Sequence, residues 1–530
     1  MPAKWWGWGD EAKTFALADP ARFWSFVEQR MGPPRESPRL QSPDQIRLSP
    51  SRLEPALLET LRQAVGSNAV SIDGGDRAIH SLGKGYRDLV RIRRGEIPRP
   101  TDAVLYPQID GQVGQALETL ARAGVAVIPF GGGTSVVGGV EPAGDRPVVT
   151  LDLARMDRVL HVDDESGLAA VEAGILGPAL EARLNAAGFT LGHFPQSFEY
   201  SSLGGWIATR SAGQNSTHYG KIEDNVESVR MLFPGGLIDT PCVPAAAAGP
   251  DLNQVIAGSE GALGVITHAT IRLAPLPAQS DYRAYLLPNF EEGVAASREI
   301  LQSDLKPAVL RLSDEPESEA TALMQLGAEG LTQCICIAGF DGDEESVRFG
   351  WQQTDAILSR HGGQALGNGP GEAWRRGRFE APYLRDVLLD HSIMVDTLET
   401  ATTWSNYLKL YRAVREAMET AMDGRGIVMA HLSHAYTHGA SVYYTFLAAQ
   451  RLGEELEQWQ EVKDAATQAI IEGGGALSHH HGIGVEHRRW MRDYLGDGGM
   501  KLLRTLKQAF DPQDIMNPAK LISIEETGDV

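Results

Sequence analysis

From about residue 101 to residue 278 the chain is built of short β-branched runs broken by glycine. AVLYP (103–107), VAVIPF (125–130), VVTLDL (148–153), LAAVEAG (168–174) and GVITHATIRLAP (264–275) read as strands. ALETLARAG (116–124) and ALEARLNAAG (179–188), with apolar positions three and four apart, read as helices between them. Strands, helices and glycine loops in this order predict an α+β nucleotide-binding domain. A second texture runs over 279–470. There DYRAYLLP, AVLRL, TQCICIAGF and SVYYTF are strand-like, while SVRFGWQQTDAILSRHG and LKLYRAVREAMETAMDG are amphipathic helices. This predicts a sheet backed by helices. Residues 1–100 form a helical lead-in. The segment 471–530 carries a glycine cluster, GGGALSHHHGIG, then a helix, MKLLRTLKQAF.

The 530 residues provide enough chain for three or four domains, so a large core needs no covalent staple. Asp and Glu number 69 against 48 Lys and Arg, a formal charge of −21, which argues against a nucleic-acid surface. No run approaches the ~18 apolar residues of a membrane span. There are three cysteines. Cys334 and Cys336 alternate in a strand, where small buried hydrophobes are the simpler reading than a metal pair. A reducing cytoplasm is the expected compartment.

Three small-residue loops each adjoin a strand. In IPFGGGTSVVGG (128–139), three glycines allow positive φ and bare N–H groups, a nest suited to a pyrophosphate. It lacks the Gly-Lys-Ser/Thr of a Walker loop and the spacing of a dinucleotide fingerprint. A tight structural turn is the alternative. FPQSFEYSSLGGWIATRSAGQNSTHYGKIEDNV (194–226) and GSEGALGVITHATIRLAP (258–275) supply the other two loops. Together they fit one long ligand lying along the main chain.

These loops resemble the flavin-binding domain of the vanillyl-alcohol-oxidase family, which implies a two-subdomain PCMH-type FAD-binding domain and an α/β cap domain with an antiparallel sheet. The resemblance extends through KWWGWGD (4–10), HLSHAYTHGASVYYTF (431–446), SHHHGIG (478–484) and FDPQDIMNPAKL (510–521), and these look like the alkyldihydroxyacetonephosphate synthase family. It implies FAD contacts from Pro129, Phe130, Gly131, Gly132, Gly133, Thr134 and Ser135, with this loop at the pyrophosphate. It implies further contacts from Gln196, Ser197, Phe198, Glu199, Tyr200, Ser201 and Ser202 and from Thr209, Arg210, Ser211 and Ala212. Glu260, Gly261, Ala262, Leu263, Gly264, Val265 and Ile266 complete the set. The first loop holds neither His nor Cys, so dissociable FAD is expected.

The same resemblance implies exchange of the acyl group of acyl-dihydroxyacetone phosphate for a fatty alcohol, through an adduct at flavin N5. Tyr443 matches the acid/base residue, and by residue type alone either it or Tyr444 fills a core. A phenol needs neighbouring positive charge to act as a base near neutrality, and the histidines are the expected source. Arg385, in APYLRDVLLD, matches the phosphate-binding arginine; a solvated helix residue beside Arg375, Arg376 and Arg378 is the alternative. His479, His480 and His481 are assigned to substrate orientation and proton transfer, at most two of them facing one pocket.

A rival reading is an FAD-linked oxidoreductase of a 2-hydroxy acid. Metal-dependent members of the superfamily carry two cap histidines seven positions apart, as are His431 and His438, with His480 in place of a glutamate. CVPAAAAGPD (242–251) lacks an arginine that eukaryotic synthases carry before Gly-Pro-Asp. A homodimer is the family-level expectation, and a long-chain substrate, with its wet–apolar boundary, implies peripheral membrane contact.

Overall fold

A computed structural model describes residues 4–522 except 38, 40 and 41. Three main sheets carry the chain. The first contains β1 (Val70–Ser71), β2 (Ala103–Leu105), β3 (Ala126–Phe130) and β4 (Val148–Asp152) in the order β1-β2-β4-β3. β4 pairs in parallel with both β2 and β3; helix Asp110–Ala123 makes the crossover from β2 to β3, and the loop 131–147 makes that from β3 to β4. The second contains β5 (Val159–Asp163), β6 (Leu168–Glu172), β8 (Val226–Phe233), β9 (Gly236–Asp239) and β10 (Val265–Arg272), antiparallel in the order β5-β6-β10-β8-β9. A short ribbon of β7 (Phe189–Thr190) and β11 (Ala274–Pro275) lies beside it.

The third sheet has seven antiparallel strands: β12 (Gln279–Leu287), β13 (Val309–Ser313), β14 (Cys334–Gly342), β15 (Gln364–Gly367), β16 (Ile393–Thr403), β17 (Gly426–Tyr436) and β18 (Gly439–Ala449). Their order is β15-β12-β14-β13-β17-β18-β16. Helices Phe290–Gln302, Glu344–Arg360, Tyr407–Ala421 and Glu455–Glu472 bury one face of it in a single apolar cluster containing Phe290, Trp351, Tyr411, Tyr444 and Trp459. Cys334 and Cys336 lie in that cluster as free thiols, and burial raises both. β16 and β17 are absent from the reading of the hydrophobic pattern. The chain is α+β throughout.

A second cluster lies between the first two sheets, with Val127, Leu151, Val171, Trp206 and Val265 at its centre. The lead-in takes part in it. Helix Pro55–Val65 buries Leu58, Leu61 and Val65 there, and β1 joins the first sheet, so the described part of the lead-in combines helices with one short strand. The C-terminal segment returns to the same cluster. Val127 N donates to Ile515 O at 2.7 Å, Asn517 N donates to Val127 O at 2.8 Å, and Ile515 and Met516 are fully buried. Among the described residues no helix is long and apolar enough to cross a membrane.

Candidate active site

One cavity of about 1190 Å³ runs between the first two sheets and the open face of the third. Its floor is the expected loops. All of Pro129 to Ser135 line it, as do Gln196, Ser197, Ser201, Ser202, Thr209, Ser211, Ala212, Glu260, Gly261, Gly264 and Ile266. Phe198, Glu199, Tyr200, Arg210, Ala262, Leu263 and Val265 do not. Phe198 stacks in the core on Phe379 and Trp206, and Arg210 donates backwards to the carbonyls of Ala257 and Gln254. Ala262, Leu263 and Val265 are packed inward. These five support the loops from behind, while Glu199 and Tyr200 turn to Lys13 and Tyr383.

The glycines are demanded by close approach. A Cβ on Gly132 would overlap the carbonyl oxygen of Tyr200, and one on Gly131 the hydroxyl of Ser202, while Gly133 has φ +64°. The resulting trough exposes main chain on both sides, as a dinucleotide pyrophosphate requires. Glu260, itself at φ 51°, brackets the trough. Its carboxylate accepts from the amides of Ile483 (2.6 Å) and Gly484 (2.8 Å), and its carbonyl accepts from Asn517 Nδ2 (2.6 Å). Glu260 therefore ties the His-rich loop and the C-terminal segment to the cofactor loops.

The same cavity is lined by Tyr443, His480, His481, His431 and His434. Alternation along β18 sends Tyr444 into the core and Tyr443 into the cavity. The Tyr443 ring lies near-parallel to His431 (centroids 4.9 Å, 19°) and to His480 (6.0 Å, 16°), with His481 edge-on at 5.6 Å. Of the three adjacent histidines, His480 and His481 reach the cavity. His479 turns away, with Nε2 2.6 Å from Tyr436 Oη.

Glu399 sets that arrangement and was not anticipated from sequence. It is 3% exposed and accepts from Ser478 Oγ (2.7 Å) and from the amides of His479 (2.5 Å), His480 (3.2 Å) and His481 (2.9 Å). Burial opposes its ionisation, but the imidazoles of His480 and His481 and the amide of His481 outweigh this and hold it well below the usual carboxylate range. Burial pushes all three histidines down, His479 to about 3. They are neutral near pH 7. The expectation that they supply positive charge to Tyr443 is thereby corrected: burial raises the phenol to about 12.

Arg385 lines the cavity from helix Ala381–Leu389, and its Nε and one terminal nitrogen are buried with no hydrogen-bond partner. Its neighbour Asp386 faces away and anchors the N-terminal segment. Lys4 Nζ lies 3.3 Å from Asp386 Oδ2, both side chains almost fully buried, and Trp8 N donates to the same oxygen at 3.0 Å. Gly7 and Gly9 pass too close to Asp386 and Tyr383 to carry a Cβ. KWWGWGD is thus the strap that fixes the helix bearing Arg385. Arg378, read from sequence only as a neighbour of Arg385, also lines the cavity. It lies over Phe194 (4.5 Å) and Phe379 (4.9 Å), with Nη1 donating to Asn215 at 3.2 Å and Nε buried and unpaired.

The three-histidine metal set is not assembled. His431 lies mid-strand in β17 and His438 in the turn that follows it, seven residues on, up to ~23 Å at ~3.3 Å per residue. His438 is exposed at the turn, against Tyr436. His431 is spent on Arg311 and Glu317. Among the described residues the one grouping with metal-compatible spacing is Glu399, His479 and His480, and that carboxylate already accepts four hydrogen bonds, three on Oε1 and one on Oε2. The alanine stretch 245–248 is exposed and takes no part in the cavity.

Beyond Tyr443 the cavity becomes apolar. Phe23, Phe26 and Val27 from helix Pro20–Met31, Ala320 and Met324 from helix Glu315–Leu326, and Leu388, Val395 and Leu447 form a sleeve leading away from the loops.

Two family models match, a FAD binding domain over residues 101–240 and the FAD linked oxidases C-terminal domain over 276–521. The alkyldihydroxyacetonephosphate synthase of Trypanosoma brucei brucei is 35% identical over 503 residues, covering 90% of this chain and 82% of the relative. A crystal structure of an alkyldihydroxyacetonephosphate synthase superposes with a TM-score of 0.84 at 32% identity, covering 98% of this chain and 99% of that one. A substrate-bound p-cresol methylhydroxylase shares the fold, with a TM-score of 0.73 at 14% identity over 91% and 99% of the two chains. With its glycine trough, buried tyrosine and histidine loop in the places described, the chain belongs to the alkyldihydroxyacetonephosphate synthase family of FAD-dependent enzymes.

Proposed function

We propose that the enzyme exchanges the acyl group of acyl-dihydroxyacetone phosphate for a fatty alcohol, making an ether bond. The observation that supports it is a single cavity in which an unpaired, buried guanidinium and a long apolar sleeve meet at Tyr443 and His480. A small hydroxy acid would need no sleeve.

FAD, held without a covalent link by the residues lining the trough, supplies a nucleophilic nitrogen for covalent catalysis when bound. Arg385 binds the substrate phosphate, for which its two orphaned donors are suited. Tyr443 is protonated at neutral pH in the free enzyme, and it moves the proton on the reacting carbon once the substrate is in place. His480 and His481 are neutral, each with one donor and one acceptor, and orient the oxygens that leave and enter. Glu399 holds the backbone of these histidines and is a positioning residue. We propose the partition 1–100, 101–278, 279–470 and 471–530 for the lead-in, FAD, cap and C-terminal units, and a cytoplasmic homodimer that meets membranes peripherally at the sleeve mouth.

The test is incorporation of labelled fatty alcohol into acyl-dihydroxyacetone phosphate by the purified holoenzyme, with release of fatty acid. No incorporation, together with anaerobic bleaching of the flavin by a 2-hydroxy acid, would replace this reading with the oxidoreductase.

A further inference from the structure

Antiparallel register grades the open face of the third sheet in steps. The rung Val395–Leu447–Ile427 is apolar, the next, Thr397–Thr445–Met429, is mixed, and the next, Glu399–Tyr443–His431, is polar. Each step spans two residues, ~7 Å along the strands. A chain lying in the sleeve therefore presents its oxygen end at the level of His431. At that level β13 places Ser313 opposite His431, with Arg311 two residues before it.

Arg311, Glu317 and His431 form a network on the cavity wall that the proposed chemistry leaves unused. Arg311 Nη2 donates to Glu317 Oε1 at 2.9 Å, and Nη1 lies 2.9 Å from His431 Nε2. His431 Nδ1 is 2.9 Å from the same Glu317 oxygen. A neutral imidazole carries one proton, so Nδ1–H donates to Glu317 and Nε2 accepts from Arg311. The second oxygen of Glu317 is buried with no partner. From Glu317 the helix Glu315–Leu326 runs directly along the sleeve through Ala320 and Met324. A guanidinium thus stands where polar wall gives way to apolar wall, already engaged with a carboxylate.

We infer that Arg311 is a specificity-determining residue that receives the fatty carboxylate released in the exchange, Glu317 being the internal carboxylate it displaces. The inference rests on the synthase reading. In that reaction the bond between the glycerone carbon and the ester oxygen breaks. The electron pair leaves on the carboxylate, and the alcohol loses its proton as its oxygen forms the new bond. The alcohol arrives neutral and the acid departs as an anion, inside an apolar sleeve where an unpaired anion is costly. Arg311 is the cation beside that path. It discriminates between the two chains by charge, retaining the acid's head until the chain slides out.

The experiment measures binding of hexadecanoate to the FAD-loaded enzyme, by displacement of a fluorescent fatty carboxylate and as inhibition of alcohol exchange. Arg311→Gln should weaken hexadecanoate about tenfold and change the KM for hexadecanol less than about twofold. Glu317→Gln, which removes the competing carboxylate, should tighten hexadecanoate. A merely structural network would weaken both ligands in both variants. If Arg311→Gln fails to hold FAD, Arg311→Lys and Glu317→Gln decide. Unchanged hexadecanoate binding in the variants, or equal loss of acid and alcohol, overturns the inference. A wild-type enzyme that exchanges no alcohol overturns the synthase reading itself.

Discussion

Tyr443, Arg385 and the histidine triplet carry their roles through what surrounds them. Tyr443 is raised by burial to about 12 and touches three imidazoles that burial keeps neutral. Tyr443→Phe should lower exchange by ~10²–10⁴-fold while the flavin spectrum is unchanged, since the phenol belongs to β18 and not to the loops that form the trough. Arg385→Ala should act chiefly on KM for the phosphorylated substrate, because a phosphate contact stabilises ground and transition states alike. Because the three histidines are pushed down, kcat/KM should show no acid limb near pH 6.5; a limb there, abolished by His480→Gln, would mean that the imidazoles titrate in the working range. Arg385 and Tyr443 were legible as residue types in the right segments. Glu399 was not, because a lone acid in TLETATT carries no local mark, and its partners lie about eighty residues away in the loop beyond Ser478.

Elements decide which of these residues meet. β12, β13, β14 and β18 could be read from alternation and β-branching. β16 and β17 could not, because IMVDTLETATT and GIVMAHLSHAY set Asp396, Glu399, His431 and His434 among apolar residues buried on both faces. They are nevertheless the centre of the site. The graded face they form with β18 predicts chain selection: Ala320→Phe should raise KM for long-chain alcohols about tenfold or more and leave short ones near wild type. The strap behaves similarly. Gly7→Ala places a Cβ 2.5 Å from the Asp386 carboxylate, so it should lower the melting temperature and raise the KM for the phosphorylated substrate, through the helix carrying Arg385.

At the scale of the whole molecule, the cofactor trough depends on chain from both termini. Asn517 and Glu260 close it from the C-terminal side, and His80 supports it from the lead-in. His80 lies 4.6 Å from the Phe130 ring, with Nε2 2.9 Å from Asp152 and Nδ1 near Asp76. Burial opposes its charge, yet the two carboxylates outweigh this and raise it to about 9. With a folded value above the unfolded ~6.5, the contribution is fully present below pH ~6.5 and is lost as pH rises through about 9, a few kcal/mol at most. Thermal melts of the FAD-loaded enzyme should therefore fall in midpoint over that window, and His80→Gln should flatten the slope.

Local composition by itself determined many of the strands and helices, though not β16 or β17, together with the glycine trough and the segment in which each reactive side chain sits. These follow from short-range rules: steric freedom of glycine, alternation along a strand, periodicity along a helix. Tertiary structure alone decided that Tyr443 faces the cavity and Tyr444 the core, that His479 turns aside, that His431 pairs with Arg311 and lies far from His438, and that an apolar sleeve opens beside them. Those outcomes depend on strand register and on packing between segments such as Arg311 with His431 and Tyr436 with His479, which local periodicity does not record.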